Sequence, residues 1–306
     1  MELKKTITAL TLAAGFVRCR ILAPFDPPPE TGNYGQGAPS LLMAALPYGN
    51  QTAPADTGPP RRGGYGRIAP FAQRNYYREG VKRLQRTGAE LRSRFGGRRS
   101  SFRILCNSPL PEKPLAQACG LGILGRNSLL ITPEAGSLII IAAMTLPYDL
   151  AADPPLTPDD FSGCGSCGAR APCTAACPAG ALEKQGAVDR LRCIQWYASG
   201  KEHAIPAGVA ARWGNRLYGC TACQDACPHN RRPIPGTACQ EGVLPAYMDC
   251  RELLALDDPA LKARFKGSAL GQSWLGIEAI RRNARLALLF RGPGTDLVDN
   301  GGLNGV

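Results

Sequence analysis

Eight of the thirteen cysteines in this 306-residue chain fall between residues 164 and 227. They form a first run, a lone cysteine and a second run: Cys164, Cys167, Cys173 and Cys177; then Cys193; then Cys220, Cys223 and Cys227. Thiolates at such short spacings are ligands for zinc or for iron–sulfur clusters. Two zinc sites would explain the C-x2-C pairs. They would explain neither the lone cysteine nor the Cys-Pro dipeptide that ends each run, so the pattern favours iron–sulfur chemistry.

The cysteine runs can be divided between two four-iron clusters. The ferredoxin-type run of bacterial two-cluster proteins also ends in Cys-Pro, and its last cysteine ligates the other cluster. The same crossing gives one cluster the ligands Cys164, Cys167, Cys173 and Cys227, and the other Cys177, Cys193, Cys220 and Cys223. The first run has five residues between its second and third cysteines, where the usual run has two. Residues 168–172 must therefore bulge outward.

Composition indicates an ordinary globular protein, with 44% hydrophobic and 20% charged residues. A disulfide framework is typical of small secreted chains, whereas a chain of this length can bury a core without disulfides. No apolar run is long enough to cross a membrane. The first fourteen residues faintly resemble a signal peptide but lack a cleavage site, so they favour a helix and a cytoplasmic location.

Positive charge is concentrated in one segment of the chain. The formal net charge is +12, and residues 61–103 hold thirteen Lys or Arg against Glu79 and Glu90. Such clustering is typical of a protein that binds a polyanion. Within a predicted helix over residues 71–95, candidate phosphate ligands surround Tyr76, a candidate for base stacking: Arg74, Arg78, Lys82, Arg83 and Arg86. The alternative is a solvated basic helix face.

Hydrophobic periodicity and breaker residues predict the remaining elements. Helices are expected at 2–14, 250–265 and 277–290, and strands at 16–22, 40–46 and 102–106. Residues 128–132 and 137–145 read as a hairpin. Residues 49–66 read as a mobile Pro/Gly-rich excursion, and residues 292–306 as a disordered tail.

Residues 120–125 match the dinucleotide-binding pattern G-x-G-x-x-G, but the context is wrong. A strand-like stretch and Pro133 follow, not the long helix that such a site requires. We therefore expect a tight loop in which the backbone approaches a ligand.

The stretch Gly214–Asn230, together with Asn107–Glu112, Gly120–Leu130 and Glu134–Ser137, closely resembles the iron–sulfur, cobalamin-dependent epoxyqueuosine reductases, in a short form. The resemblance is specific over residues 106–230. It implies an oxidoreductase that removes the epoxide oxygen of epoxyqueuosine at the wobble position of tRNA. It also implies two [4Fe-4S] clusters, a base-off cobalamin without a histidine ligand, and an external low-potential electron donor.

The implied fold is α+β. An N-terminal α/β domain (1–155) would bind corrinoid and substrate, a ferredoxin-like domain (156–240) would hold the clusters, and a short helical tail (241–306) would follow. The matching positions for corrinoid binding are Gly120, Gly122, Gly125, Asn127 and Ser137.

The chain departs from the family pattern at one catalytic position. The aspartate thought to donate a proton aligns with Cys106. A thiol can donate a proton, or it can serve as a small hydrophobic residue. Glu112, in the same motif, is the substitute acid. Two other functions remain open: a corrinoid reductase of a small molecule, and a ferredoxin-type electron carrier, which would not need the glycine-rich loop.

Overall fold

The computed structural model describes residues 2–26, 36–48, 64–168, 171–183, 186–200, 204–232, 234 and 239–290. The helices are α1 (Glu2–Ala13), α2 (Tyr76–Phe95), α3 (Glu112–Ala118), α4 (Pro172–Ala175), α5 (Ile194–Ser199), α6 (Ala207–Ala210), α7 (Ala222–Asp225), α8 (Cys250–Ala255), α9 (Asp258–Phe265) and α10 (Ile277–Leu289). The strands are β1 (Arg18–Leu22), β2 (Ser40–Pro47), β3 (Tyr65–Ile68), β4 (Ile104–Leu105), β5 (Ile123–Leu124), β6 (Leu130–Ile131), β7 (Ile139–Leu146), β8 (Arg216–Tyr218) and β9 (Tyr247–Asp249).

A four-stranded sheet in the order β1-β2-β7-β4 forms the centre of the N-terminal region. Every residue of β2 is buried, because the strand is covered on both faces. Leu42, Ala44 and Leu46 pack beneath α1 and α2, whereas Leu41 and Met43 pack against the α3 region. All three strand pairs are antiparallel. The α+β class is therefore confirmed. The expected α/β arrangement of the first domain is wrong, since it would require parallel strands joined by helical crossovers.

Helix α2 lies against this sheet through a face that contains small residues. Gly88 allows the close approach, since a Cβ there would lie 3.0 Å from Met144 Sδ. The helix begins at Asn75, whose side chain accepts a hydrogen bond from the Arg78 amide at 3.1 Å. This packing determines which of the basic residues of α2 reach the surface.

A second sheet, in the order β8-β3-β9, combines three distant segments. Strand β3 pairs parallel to β8 and antiparallel to β9. Helices α8, α9 and α10 share one apolar core with these strands, including Ile68, Leu217, Phe265 and Ala284. Residues 241–290 are thus an integral part of the fold and not a helical tail.

Several local predictions need correction. Residues 250–265 form two helices because Asp257 starts α9 by accepting the Ala260 amide at 2.8 Å. Strand β6 pairs with β5, and a single bridge, Thr132 with Gly136, is what remains of the expected hairpin to β7. Residues 65 and 66, expected at the end of a mobile excursion, begin β3. The rest of that excursion through residue 63, and the predicted tail at 292–306, lie outside the described residues. Within the described part, no helix is long and apolar enough to span a membrane.

Candidate iron–sulfur and substrate site

The two cysteine runs fold into matching turns. In the first run, Cys173 lies in α4 and Cys177 follows it; in the second, Cys223 lies in α7 and Cys227 follows it. Each short helix closes with equivalent amide bonds, from Ala176 to the Pro172 carbonyl at 2.9 Å and from Ala226 to the Ala222 carbonyl at 3.2 Å. Proline after the last cysteine of each run fits the end of the helix, since the chain there leaves the helical conformation.

Charge effects link several of the eight thiols. Burial raises the pKa of Cys227, and negative charge at Cys164, Cys167 and Cys173 raises it further. Burial likewise raises the pKa of Cys193, with added contributions from Cys220 and Cys177. These effects join cysteines that the crossing scheme assigns to one cluster, but negative charge at Cys173 also raises the pKa of Cys223, so they do not separate the two predicted sets.

Backbone amides point at the sulfurs. The Arg126 amide donates to Cys164 Sγ at 3.3 Å and the Ala181 amide to Cys177 Sγ at 3.2 Å, contacts that tune cluster potentials. All thirteen cysteines are free thiols. Among the described residues, no three His, Cys, Asp or Glu side chains converge as ligands of a single ion. A four-iron cluster, in contrast, spreads its thiolates around a cube.

A cavity of about 470 Å3 separates the cluster region from the N-terminal sheet. One wall contains Cys177, Cys193, Cys220 and Cys223, which is the predicted ligand set of the second cluster. The other wall contains Tyr48, Tyr77, Asn127, Ser128 and Ser137. Any molecule in this cavity would lie directly beside that cluster.

Gln224 fixes the two walls to each other. Its buried Nε2 donates to Tyr48 Oη at 2.7 Å and to the Ser137 carbonyl at 2.8 Å. Asn230 Oδ1 accepts from the Ser137 amide at 2.7 Å, and Asn230 Nδ2 donates to the Gln224 carbonyl at 2.8 Å. The position of the second cysteine run is thereby tied to the end of β7.

The candidate corrinoid residues fall into two groups. Asn127 and Ser137 line the cavity, and Asn127 Nδ2 is buried without a hydrogen-bond partner. Such a donor requires an acceptor, so it fits a ligand rich in amide oxygens. Gly120, Gly122 and Gly125 are not among the lining residues. A Cβ added at Gly120 would lie 2.2 Å from the Pro154 carbonyl oxygen. A Cβ at Gly122 would lie 2.6 Å from the Ile131 carbonyl oxygen, and one at Gly125 would lie 2.5 Å from the Ile131 side chain. Their closest neighbours are thus other protein segments.

Two candidate proton donors lie behind Tyr77. Cys106 packs in the core beneath α2 and donates to the Ile141 carbonyl at 3.4 Å. Burial, and then the charge of Glu112, raises the pKa of Cys106 strongly. Burial raises the pKa of Glu112 to about 7, although this carboxylate accepts a hydrogen bond from the Ser108 amide at 3.1 Å. After burial and Tyr218, the charges of Cys106, Tyr48 and Glu112 raise the pKa of Tyr77 further.

The predicted phosphate ligands differ in exposure. Arg83 is 5% exposed, pairs with Glu79 at 2.7 Å and donates to the Ala14 carbonyl at 2.9 Å. Arg78 and Lys82 share Glu241, Arg74 is half-buried, and Arg86 is exposed. The interpretation of Arg83 as a phosphate ligand is therefore wrong, because the side chain is already buried and paired. Base stacking by Tyr76 is also wrong, because Tyr76 is 2% exposed.

Sequence reasoning missed several residues of the cavity. Tyr48, Lys113, Arg190, Trp196 and Gln224 come from five different segments. Only Gln224 carried a signal, since it directly follows the C-x2-C pair of the second run.

The family model of a 4Fe-4S double cluster binding domain matches residues 163–230. This match confirms a double-cluster iron–sulfur domain around the cavity. Solved structures of similar fold cover 94% of this chain and 81% of their own. They include an epoxyqueuosine reductase from Streptococcus thermophilus (TM-score 0.77, 20% identity) and an epoxyqueuosine reductase with an epoxyqueuosine-modified tRNA-Tyr stem loop (TM-score 0.74, 23% identity).

Curated relatives extend the match to sequence. An epoxyqueuosine reductase of Synechococcus sp. (strain CC9605) is 32% identical over 261 residues, which cover 82% of this chain and 74% of the relative. That of Francisella cf. novicida is 30% identical, covering 82% and 69%. The match to the Salmonella typhimurium enzyme, at 36% identity, covers 39% of that relative's length. The chain belongs to the epoxyqueuosine reductase family, a family of oxidoreductases, as the resemblance over residues 106–230 implied.

Proposed function

We propose that this chain removes the epoxide oxygen of epoxyqueuosine in tRNA and so forms queuosine. The reaction breaks two carbon–oxygen bonds, forms a carbon–carbon double bond and releases water, and it consumes two electrons and two protons. The cavity carries the proposal, because four cysteines of one predicted cluster form its wall. Two clusters, each passing single electrons, supply the required pair.

Residues that line the cavity suit part of the surface of a cobalamin, the cofactor that the family resemblance implies. Asn127 Nδ2 offers an unused donor to the amide groups of the corrin periphery, while Ile139, Ile140 and Leu182 supply apolar surface. When bound, cobalamin supplies a low-potential cobalt centre for reduction of the epoxide carbon. Among the described lining residues there is no histidine. His229 Nε2 instead lies 2.9 Å from the Gly163 carbonyl oxygen.

Glu112 is the better candidate for the general acid. With a pKa of about 7 it retains a large protonated fraction at neutral pH, which suits proton transfer. The Cys106 thiol holds its proton much more tightly. Tyr77 lines the cavity and Glu112 does not, so a proton from Glu112 needs a carrier, such as a water molecule, to reach the oxygen that leaves.

The exposed cations of α2 and the following loop are proposed to contact the tRNA backbone. Arg86, Arg92, Arg98 and Arg99 are all exposed. Phosphate contacts from such residues supply much of the affinity and make it salt-dependent.

The proposal is tested with anaerobically reconstituted protein, cobalamin, a low-potential reductant and a tRNA stem-loop that contains epoxyqueuosine. Mass spectrometry of the digested nucleosides should show loss of one oxygen atom, only when cobalamin is present. Cobalamin binding without turnover would exclude this substrate and favour a small-molecule reductase. Cluster reduction without cobalamin binding would favour an electron carrier.

A further inference from the structure

The mouth of the cavity carries side chains that no step of the proposed reaction uses. Lys113, at the start of α3, and Arg190 and Trp196, between the cysteine runs, all line the cavity. Arg190 is exposed and Trp196 is 43% exposed. Lining residues that are also exposed mark the opening, so a molecule that enters must pass them.

Two positive charges meet at this opening without compensation. Lys113 is half-buried, and its Nζ donates to the Ser128 carbonyl at 2.8 Å. After burial, the charge of Arg190 lowers the pKa of Lys113, so the two cations lie close enough to repel each other. The neighbouring Asp189 carboxylate accepts the Leu191 amide at 2.9 Å and forms no ion pair with Lys113 or Arg190 among the described residues. Within the described residues, neither cation forms an ion pair, and a bound anion would remove the repulsion.

The third side chain indicates what kind of anion. The Arg190 guanidinium carbon lies 4.8 Å from the centre of the Trp196 ring, a cation–π contact that holds charge and aromatic surface together. Exposed aromatic rings beside cations are the usual means by which proteins hold single-stranded nucleic acid, with bases stacked on the ring and phosphates on the charges. A solvent-exposed indole has no such use in binding a free inorganic anion.

We propose that Lys113, Arg190 and Trp196 form an RNA clamp at the cavity mouth, the two cations binding one backbone phosphate and the indole stacking on a neighbouring unpaired base. The clamp rests on the proposed function, because it holds the strand whose modified nucleotide enters the cavity. It differs from the basic face of α2 in recognising unpaired RNA.

The test measures fluorescence anisotropy of a labelled, unmodified RNA anticodon stem-loop with the cluster-loaded protein, over a series of salt concentrations. The probe undergoes no reaction, so binding is separated from chemistry. We expect Trp196→Ala to weaken binding by about tenfold or more. Arg190→Ala and Lys113→Gln should each weaken binding and flatten its salt dependence, and the two changes together should lower the salt slope by roughly 0.7, the value for one neutralised phosphate of single-stranded RNA. Gln at position 113 keeps a donor for the Ser128 carbonyl. The matched control is Arg264→Ala, an exposed arginine of α9 outside this cavity, which should leave binding unchanged.

A second probe, a blunt RNA duplex without unpaired bases, should bind equally to the parent and to Trp196→Ala. Two results would overturn the clamp: stem-loop affinity unchanged in all three variants, or absence of stem-loop binding by the parent. Cobalamin also carries a phosphodiester, which its analogue cobinamide lacks. If Arg190→Ala weakens cobalamin but neither cobinamide nor RNA, the phosphate belongs to the cofactor and the clamp is wrong. Turnover of epoxyqueuosine by the parent alongside unchanged RNA affinity in the variants would reject the clamp and leave the proposed function intact.

Discussion

Replacing Glu112 with Gln should change stability and activity in opposite directions. Burial raises the pKa of this carboxyl from its ordinary value of 4.5 to about 7. The folded protein therefore binds a proton between these values that the unfolded chain has released, and stability falls as pH rises through this window. Glutamine is neutral at every pH, and its oxygen can still accept the Ser108 amide, so the substitution removes the cost of burying a charge.

The magnitude follows from the difference in pKa. At about 1.36 kcal/mol for each pKa unit, the cost avoided by Glu112→Gln is about 2 kcal/mol at pH 6 and about 3 kcal/mol at pH 8.5. For a chain of this size, we expect the midpoint of thermal unfolding to rise by about 5 °C at pH 8.5 and by less at pH 6. Anaerobic calorimetry of the cluster-loaded protein at the two pH values measures this difference.

Activity supplies the second half of the test. If Glu112 donates the proton, the parent should lose turnover as pH rises through about 7, and Glu112→Gln should be at least about a hundredfold slower below pH 7. A variant that is more stable but much slower would separate the catalytic role from a structural one. If the parent and Glu112→Gln had the same unfolding midpoint at each pH, the burial argument would be refuted. If their pH–rate profiles were identical, the role of Glu112 as the acid would be refuted.

Five further substitutions, at four positions, test the clusters, the basic helix and the departure from the family pattern. Cys193→Ala should lower the iron content after reconstitution from about eight to about four per chain; zinc in the purified protein, or unchanged iron, would contradict the assigned ligands. Arg83→Met should destabilise the protein by about 3 kcal/mol, since it leaves Glu79 buried without its partner. Chemical denaturation measures this loss, and RNA affinity at low salt should stay unchanged if Arg83 acts only in folding. Arg86→Glu should instead weaken tRNA binding and flatten its salt dependence without a change in stability. If the dependence of affinity on salt were unchanged, Arg86 would be a solvated surface residue that makes no phosphate contact. Cys106→Asp should raise turnover of the epoxide and Cys106→Ala should leave it unchanged if Glu112 is the acid; a large loss in the Ala variant would point to the thiol.

Elements with a strong local pattern could be predicted from the sequence. The apolar run of β2 indicates a buried strand, and the amphipathic pattern of α2 indicates a helix with one buried face. The cysteine spacing predicts two ligand sets, and the match of residues 163–230 to a 4Fe-4S double cluster binding domain confirms the double-cluster domain; the assignment of each cysteine to a cluster stays a prediction. The family was also recognisable, since its motifs surround the cavity.

What the sequence did not predict depends on partners that are distant along the chain. Strand β3 contains Gly66 and Arg67 and has weak strand propensity; it is a strand because β8 and β9 pair with it. Gly66 fits there because a Cβ would lie 2.6 Å from that of Leu217. Arg83 was predicted to be a surface cation because helical periodicity does not show that its guanidinium donates to the Ala14 carbonyl and pairs with Glu79.

The sheet β8-β3-β9 can form only late in synthesis of the chain. Strand β3 leaves the ribosome long before its partners, which end at residues 218 and 249, and contacts of such large sequence separation form slowly. Until residue 249 is available, the core shared with α8, α9 and α10 cannot close. All eight cluster cysteines precede that point in the chain, so each of them is synthesised before the sheet can close.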